Sequence, residues 1–215
     1  MHAVIVLGGD LPGETLLRSC LQVCDLSIAA DRGLEAFAAA GVTPDLMIGD
    51  MDSVRPEVLR QYEGQAEQRR LNCIKDDTDG VDALDVAIAR GAERITLLGA
   101  LGGRLDHALA NLMLLIRAHQ KGAFAQILSE DVRIVRVNGE TTLHGAKGDT
   151  VSLLPLGSAR GVTIGGFFYP LCGGDLDCSH PLGVSNVVTE EEARVSVADG
   201  DLLLFHYYAA QHVKE

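Results

Sequence analysis

Short apolar runs alternate with helical patterns through residues 1–130. Ala3–Leu7, Leu26–Ala30, Leu46–Ile48, Leu71–Ile74, Arg94–Leu98 and Ala125–Leu128 are mostly continuous in apolar character. Strands buried on both faces read this way. Between them, stretches near 14–22, 33–40, 56–63, 79–90 and 104–120 carry helical patterns. Pro56 falls where a first helical turn tolerates its missing N–H. Gly41, Gly91 and Gly122 each follow a helical stretch, where a terminating glycine belongs. The alternation predicts an α/β fold: a mostly parallel sheet flanked by helices on both faces.

From residue 131 the pattern changes. Val132, Ile134, Val135 and Val137 form a short β-type run, followed by Val151–Leu154, Val162–Ile164, Phe167–Tyr169, Val195–Val197 and Leu202–His206. Gly, Pro, Asp and Asn separate these runs, and no helical pattern intervenes. This half predicts a small antiparallel, all-β sandwich or barrel. The chain is therefore expected to divide into residues 1–130 and 131–215, with no flexible linker in the boundary region.

Charge narrows the function. The 215 residues carry 18 Lys plus Arg against 30 Asp plus Glu, a formal net charge of −12. Such a chain is unsuited to sequence-independent nucleic-acid binding or to an anionic membrane surface. No apolar run approaches the ~20 residues of a spanning helix. The opening MHAVIVLGGDLPGE has no basic leader and reads as a first strand, not a signal peptide. The five cysteines, Cys20, Cys24, Cys73, Cys172 and Cys178, include no C-x-x-C pair. They are expected to be buried thiols of a cytoplasmic protein.

Four features fall at or just after predicted strand ends, where ligands of parallel sheets bind. Asp31 follows Leu26–Ala30; it reads either as a site carboxylate or as a helix cap. Gly49-Asp50-Met51-Asp52-Ser53 places two carboxylates two residues apart, able to face one divalent cation or simply to form a polar turn. Lys75-Asp76-Asp77-Thr78-Asp79, with Asp82, crowds acids at the start of a helix. Capping accounts for some of them, but such crowding is self-repulsive without a cation or protons. Gly99-Ala100-Leu101-Gly102-Gly103-Arg104-Leu105-Asp106-His107 opens another helix, with Arg104, His107 and Asn111 on one face. Glycines permit close phosphate approach, and Arg suits bidentate phosphate contact. Neither a Walker A loop nor G-x-G-x-x-G occurs. Together the four features fit a site for a Mg-nucleotide and a phosphoryl-type transferase.

The segments A-A-D-R-G, G-V-T-P-D-L-M-I-G-D-M-D-S, K-D-D-T-D and G-G-R-L-D-H-x-L-A-N resemble, in order and approximate spacing, the thiamine pyrophosphokinase family. In the second half, G-D-T-V-S-L-L-P-L from Gly148, Gly161-Val162-Thr163, Tyr169-Pro170-Leu171 and Gly183-Val184-Ser185-Asn186 extend the resemblance over nearly the whole chain. It implies transfer of the pyrophosphoryl group of ATP to the hydroxyethyl group of thiamine, giving thiamine diphosphate and AMP. It also implies an α/β ATP/Mg-binding catalytic domain and a β-sandwich domain for thiamine binding and dimerisation. The homodimer would share its active sites between subunits. By position, Asp50, Asp52 and Asp79 would hold Mg²⁺. Asp31, Thr78, Gly102, Gly103, Arg104 and Asp106 would line the ATP side. Lys75 and Asp76 would lie near the reacting groups, and Ser185 and Asn186 would contact thiamine. The chain departs from the family pattern at Gly80-Val81-Asp82-Ala83, at Val187, in having no Trp, and at Arg32, where many members have Gly. Three other readings compete. One is a pyrophosphokinase for another alcohol such as a hydroxymethylpterin. Another is a D-x-D sugar transferase, which leaves the T-D and G-G-R segments without a task. The third is a non-catalytic nucleotide- or thiamine-sensing module.

Overall fold

The computed structural model describes residues 1–70 and 78–208. The predicted strand Leu71–Ile74, with Lys75, Asp76 and Cys73, lies outside the described residues. The chain forms two compact units, Met1–Glu130 and Asp131–Glu215.

The first unit runs β1 (His2–Val6), α1 (Glu14–Leu21), β2 (Leu26–Ala30), a single 3-10 turn (Asp31–Gly33), α2 (Leu34–Ala40), β3 (Leu46–Gly49), α3 (Pro56–Gln61), β4 (Glu67–Arg70), α4 (Asp79–Ala89), β5 (Arg94–Leu98), α5 (Leu105–Gln120) and β6 (Phe124–Leu128). Its strands lie in the order β6-β5-β1-β2-β3-β4, and every adjacent pair is parallel. The chain thus builds outward from β1 through β4, then crosses back to lay β5 on the other side of β1. That reversal makes β1/β5 the topological switch, the region of such sheets whose carboxyl ends commonly bind ligands.

Continuous apolar character appears as continuous burial: every residue of β2 and of β3 is buried. Helices α1 and α2 contribute Leu17, Leu34 and Phe37, which pack with Val4, Val6 and Met47. Each such side chain contributes about 1.5–3 kcal/mol by leaving water. The edge strand β4 was not predicted. Its sequence EQRR has no apolar signal, as suits a strand that, among the described residues, pairs with β3 along one edge.

The second unit contains β7 (Val132–Arg136), β8 (Glu140–His144), β9 (Thr150–Pro155), β10 (Ser158–Gly165), β11 (Leu171–Asp177), β12 (Asn186–Val187), β13 (Glu192–Ser196) and β14 (Leu202–Tyr207). They form two sheets, β12-β9-β14-β7 and β11-β10-β13-β8, with antiparallel pairing throughout. One apolar cluster joins the sheets: Val135, Leu153 and Leu204 from the first, Val162, Leu176 and Val195 from the second. The unit is a sandwich. Within it, buried His206 and Asp149 meet at 2.6 Å, tying β14 to the segment that enters β9.

Two expectations are corrected. Phe167–Tyr169 is not a strand; only Phe167 bridges to Val188, and Phe168 and Tyr169 turn outward, 64% and 66% exposed. The cysteines are not uniformly buried either: Cys20 is buried, Cys24 half-buried, and Cys172 and Cys178 exposed. The latter two sit on and beside β11, whose outer face meets solvent.

Candidate functional site

Four of the acids predicted from sequence, Asp31, Asp50, Asp52 and Asp79, gather by the carboxyl ends of β2 and β3. Asp31 follows β2 and takes a left-handed backbone, φ +43. This aims its carboxylate at β3, where Oδ1 accepts the Met51 N–H at 3.1 Å. Gly49 makes room: a Cβ there would lie 1.9 Å from Asp31 Oδ1. Met51 also has positive φ, +64, so the D-x-D segment is bent. The Asp52 N–H donates to Asp50 Oδ1 at 3.0 Å. Non-glycine residues held at positive φ carry strain, which concentrates at functional positions.

Asp79 begins α4, and its carboxyl lies close to that of Asp31. Burial, then the closeness and charge of Asp79, push the Asp31 carboxyl up to about 7, with Asp50 adding to the effect. The Asp50 charge likewise raises Asp52, with Asp79 contributing. Two carboxyls in contact share a proton when nothing else neutralises them. Thr78 caps α4, its Oγ1 accepting the Val81 N–H at 3.4 Å. Hard carboxylate oxygens are the donor set that Mg²⁺ takes. Among the described residues, however, no three of these acids already converge at ligating geometry.

A second rim lies at the β1/β5 switch. The loop after β1 hydrogen-bonds to the loop after β5: Leu7 N–H to Leu98 O at 2.8 Å, Gly9 N–H to Gly99 O at 2.8 Å, Asp10 N–H to Leu101 O at 2.6 Å. A Cβ at Gly9 would lie 2.1 Å from Leu101 O, so no larger residue fits this approach. Gly102 and Gly103 have φ of +80 and +64, and the Asp10 carboxylate packs directly on Gly102. Asn111 of α5 fastens the same loop, donating from Nδ2 to Ala100 O at 2.8 Å. Arg104 precedes α5 and pairs with Asp106 through Nε and Nη2 at 3.1 and 2.6 Å. That guanidinium holds the Asp106 carboxyl down at about 2. Both side chains are exposed.

Ser185 and Asn186 belong to the second unit. Ser185 has φ +59 and its N–H donates to Ser152 Oγ at 3.0 Å. Asn186 is 7% exposed, and its amide is largely committed to the fold. Oδ1 accepts from Tyr169 N–H and Val187 N–H, both at 3.0 Å, and Nδ2 donates to Tyr169 O at 2.7 Å. Asn186 thus fixes the segment that presents the Phe168 and Tyr169 rings, which meet edge to face at 4.8 Å.

The sequence reading did not single out Asp10 or the chemistry of Arg32. A G-G-D segment immediately after the first strand was the available signal.

These features define an α/β protein with acidic and glycine-rich loops at the carboxyl edge of a parallel sheet, carrying a separate β-sandwich. Residues 17–127 match the family model for the thiamin pyrophosphokinase catalytic domain, and residues 134–202 that for the thiamin pyrophosphokinase vitamin B1 binding domain. The thiamine pyrophosphokinase of Bacillus subtilis is 28% identical over 183 residues, covering 83% of this chain and 86% of that one. Thiamine pyrophosphokinase 1 of Oryza sativa subsp. japonica is 31% identical over 174 residues, covering 74% of this chain and 64% of its own length. The crystal structure of the thiamin pyrophosphokinase from Geobacillus thermodenitrificans superposes with a TM-score of 0.82 at 28% identity, covering 98% and 99% of the two chains. The chain belongs to the thiamin pyrophosphokinase family, a family of transferases.

Proposed function

We propose that this chain transfers the pyrophosphoryl group of ATP to the hydroxyl of thiamine. The observation that carries the reading is the match of both units to that family's two domain models, on a sheet whose carboxyl edge bears the acidic and glycine rims. In the reaction, the thiamine hydroxyl oxygen bonds to the β-phosphorus of ATP. The bond from that phosphorus to the α,β-bridging oxygen breaks, AMP departs with that oxygen, and the hydroxyl proton is released. Positioning and charge stabilisation dominate such transfers.

Asp50, Asp52 and Asp79 would hold Mg²⁺, which when bound neutralises charge on phosphate oxygens. Their mutual repulsion, seen at Asp31 and Asp52, is the feature that favours a cation there. Asp31 and Thr78 would border the donor, with Gly102 and Gly103 giving backbone access and Arg104, released from Asp106, reaching a phosphate. Lys75 and Asp76 are proposed near the reacting groups on the resemblance alone. Ser185 would touch the thiamine ring, whereas Asn186 would act by fixing the Phe168–Tyr169 segment. The domain roles follow the same reading: residues 1–130 for ATP and chemistry, 131–215 for thiamine and dimerisation. A homodimer agrees with the exposed apolar side chains Phe168, Tyr169, Leu182 and Val184 of the second unit. A cytoplasmic location agrees with the absence, among the described residues, of a helix long and apolar enough to cross a membrane. The test is an acceptor panel with ATP and Mg²⁺. Turnover with thiamine and none with a hydroxymethylpterin is the predicted result, and the reverse selectivity would overturn it.

A further inference from the structure

The Asp31–Gly33 turn sends neighbouring side chains to opposite flanks of the β2 end. Asp31 faces the β3 side, at the Met51 N–H. Arg32 faces the β1 side, where its Nη1 donates to Gly8 O at 3.1 Å and Gly9 O at 3.4 Å. The turn is pressed there because Gly33 lies against Val6, where a Cβ would come 2.0 Å from the Val6 carbonyl oxygen. Gly9 and Asp10 are in turn hydrogen-bonded to the loop after β5. The guanidinium of Arg32 is therefore anchored at the β1/β5 switch, beside the glycine rim.

Those contacts use one of its three nitrogens. A guanidinium has five N–H donors in a fixed fork. Nε lies 3.9 Å from Glu35 Oε2, beyond hydrogen-bond reach, and the side chain is 48% exposed. Arg104, by contrast, holds a bidentate pair with Asp106 that it would have to leave before reaching a phosphate. Among the described residues of the two rims, Asp10, Asp31, Asp50, Asp52 and Asp79 are acidic. A polyphosphate entering such a rim requires cationic donors that are already oriented.

We propose that Arg32 is a specificity-determining contact to the polyphosphate of the nucleotide donor, with Nη1 fixed on the Gly8 and Gly9 carbonyls and the rest of the fork taking phosphate oxygens. The inference rests on the donor being a nucleoside triphosphate, as in the function proposed above.

The test compares ATP and AMP binding to the full chain, in the presence of Mg²⁺, for wild type, Arg32→Met and Arg32→Lys, with calorimetric titration. Arg32→Met weakens ATP about tenfold and AMP no more than about threefold, the size of a lost charged hydrogen bond. Arg32→Lys keeps a point charge without the fork and recovers part of the ATP affinity. In turnover, the ATP KM of Arg32→Met rises about tenfold while the thiamine KM stays within twofold. Equal weakening of ATP and AMP would make Arg32 a mere support for the Gly8–Gly9 loop and overturn the proposal, as would unchanged ATP affinity. Should Arg32→Met unfold, the same comparison on Arg32→Lys decides. Wild-type ATP binding without thiamine-dependent AMP release would defeat the functional reading alone, since the Arg32 comparison needs no turnover.

Discussion

Replacing Asp31 by Asn is predicted to stabilise the metal-free protein at alkaline pH while removing activity. The Asp31 carboxyl is held at about 7 against an ordinary value of 3.8, chiefly by burial and by Asp79. The gap of about 3 pH units corresponds to ~4 kcal/mol at 1.36 kcal/mol per unit. Asp31 is only partly buried, and solvent screening reduces this to about 2 kcal/mol. The sign follows from proton counting. Between about pH 4 and 7 the folded chain keeps a proton at Asp31 that the unfolded chain releases, so wild-type stability falls as pH rises and levels off above 7. Asn carries no such proton, yet its amide can still accept from the Met51 N–H and donate to Asp79. The variant therefore matches wild type near pH 4 and exceeds it by about 2 kcal/mol at pH 8, or ~4–8 °C in Tm. The assay is thermal and urea unfolding of both proteins in chelator at the two pH values. A difference that is the same at both, or a wild type that gains on the variant as pH rises, would refute the reasoning. So would an Asp31→Asn protein with full activity, which would remove the acid from the donor site.

Three further outcomes are expected. Asn186→Ala removes three hydrogen bonds and leaves the Tyr169 N–H without its acceptor; urea unfolding should show a loss of about 2–3 kcal/mol, and a loss under 0.5 kcal/mol would deny the clamp. Gly9→Ala drives a Cβ into Leu101 O and Gly99 O, and overpacking of this kind costs about 1–3 kcal/mol; a raised ATP KM should accompany it, whereas unchanged stability and KM would mean that the loops part easily. Asp52→Asn should lower kcat on the order of 100-fold and leave the unfolding midpoint near wild type, because the side chain is exposed; near-normal turnover with an unchanged Mg²⁺ requirement would remove Asp52 from the metal site.

The parallel half was legible because its strands are buried on both faces and advertise it, as every residue of β2 shows. Where one face or one edge meets water the signal disappears. β4 is EQRR, β8 is ETTLH and β11 is LCGGDLD; none carries an apolar run. Phe167–Tyr169 misled in the other direction: its rings suit a strand, but the Asn186 amide takes the Tyr169 backbone groups a ladder would use. The acidic rim was readable because Asp31, Asp50, Asp52 and Asp79 each follow or open a recognisable element. The other rim depends on β1 lying beside β5. Strand order is set by tertiary packing and leaves no mark in periodicity. The hydrogen bonds from Gly9 and Asp10, and the reach of Arg32, therefore emerge only from the fold.

The most direct measurement of the central claim is the identity of the nucleotide product. With ATP, Mg²⁺ and thiamine, the account predicts AMP and thiamine diphosphate in one-to-one ratio and no AMP without thiamine. ADP with thiamine monophosphate, or no thiamine-dependent product at all, would contradict it.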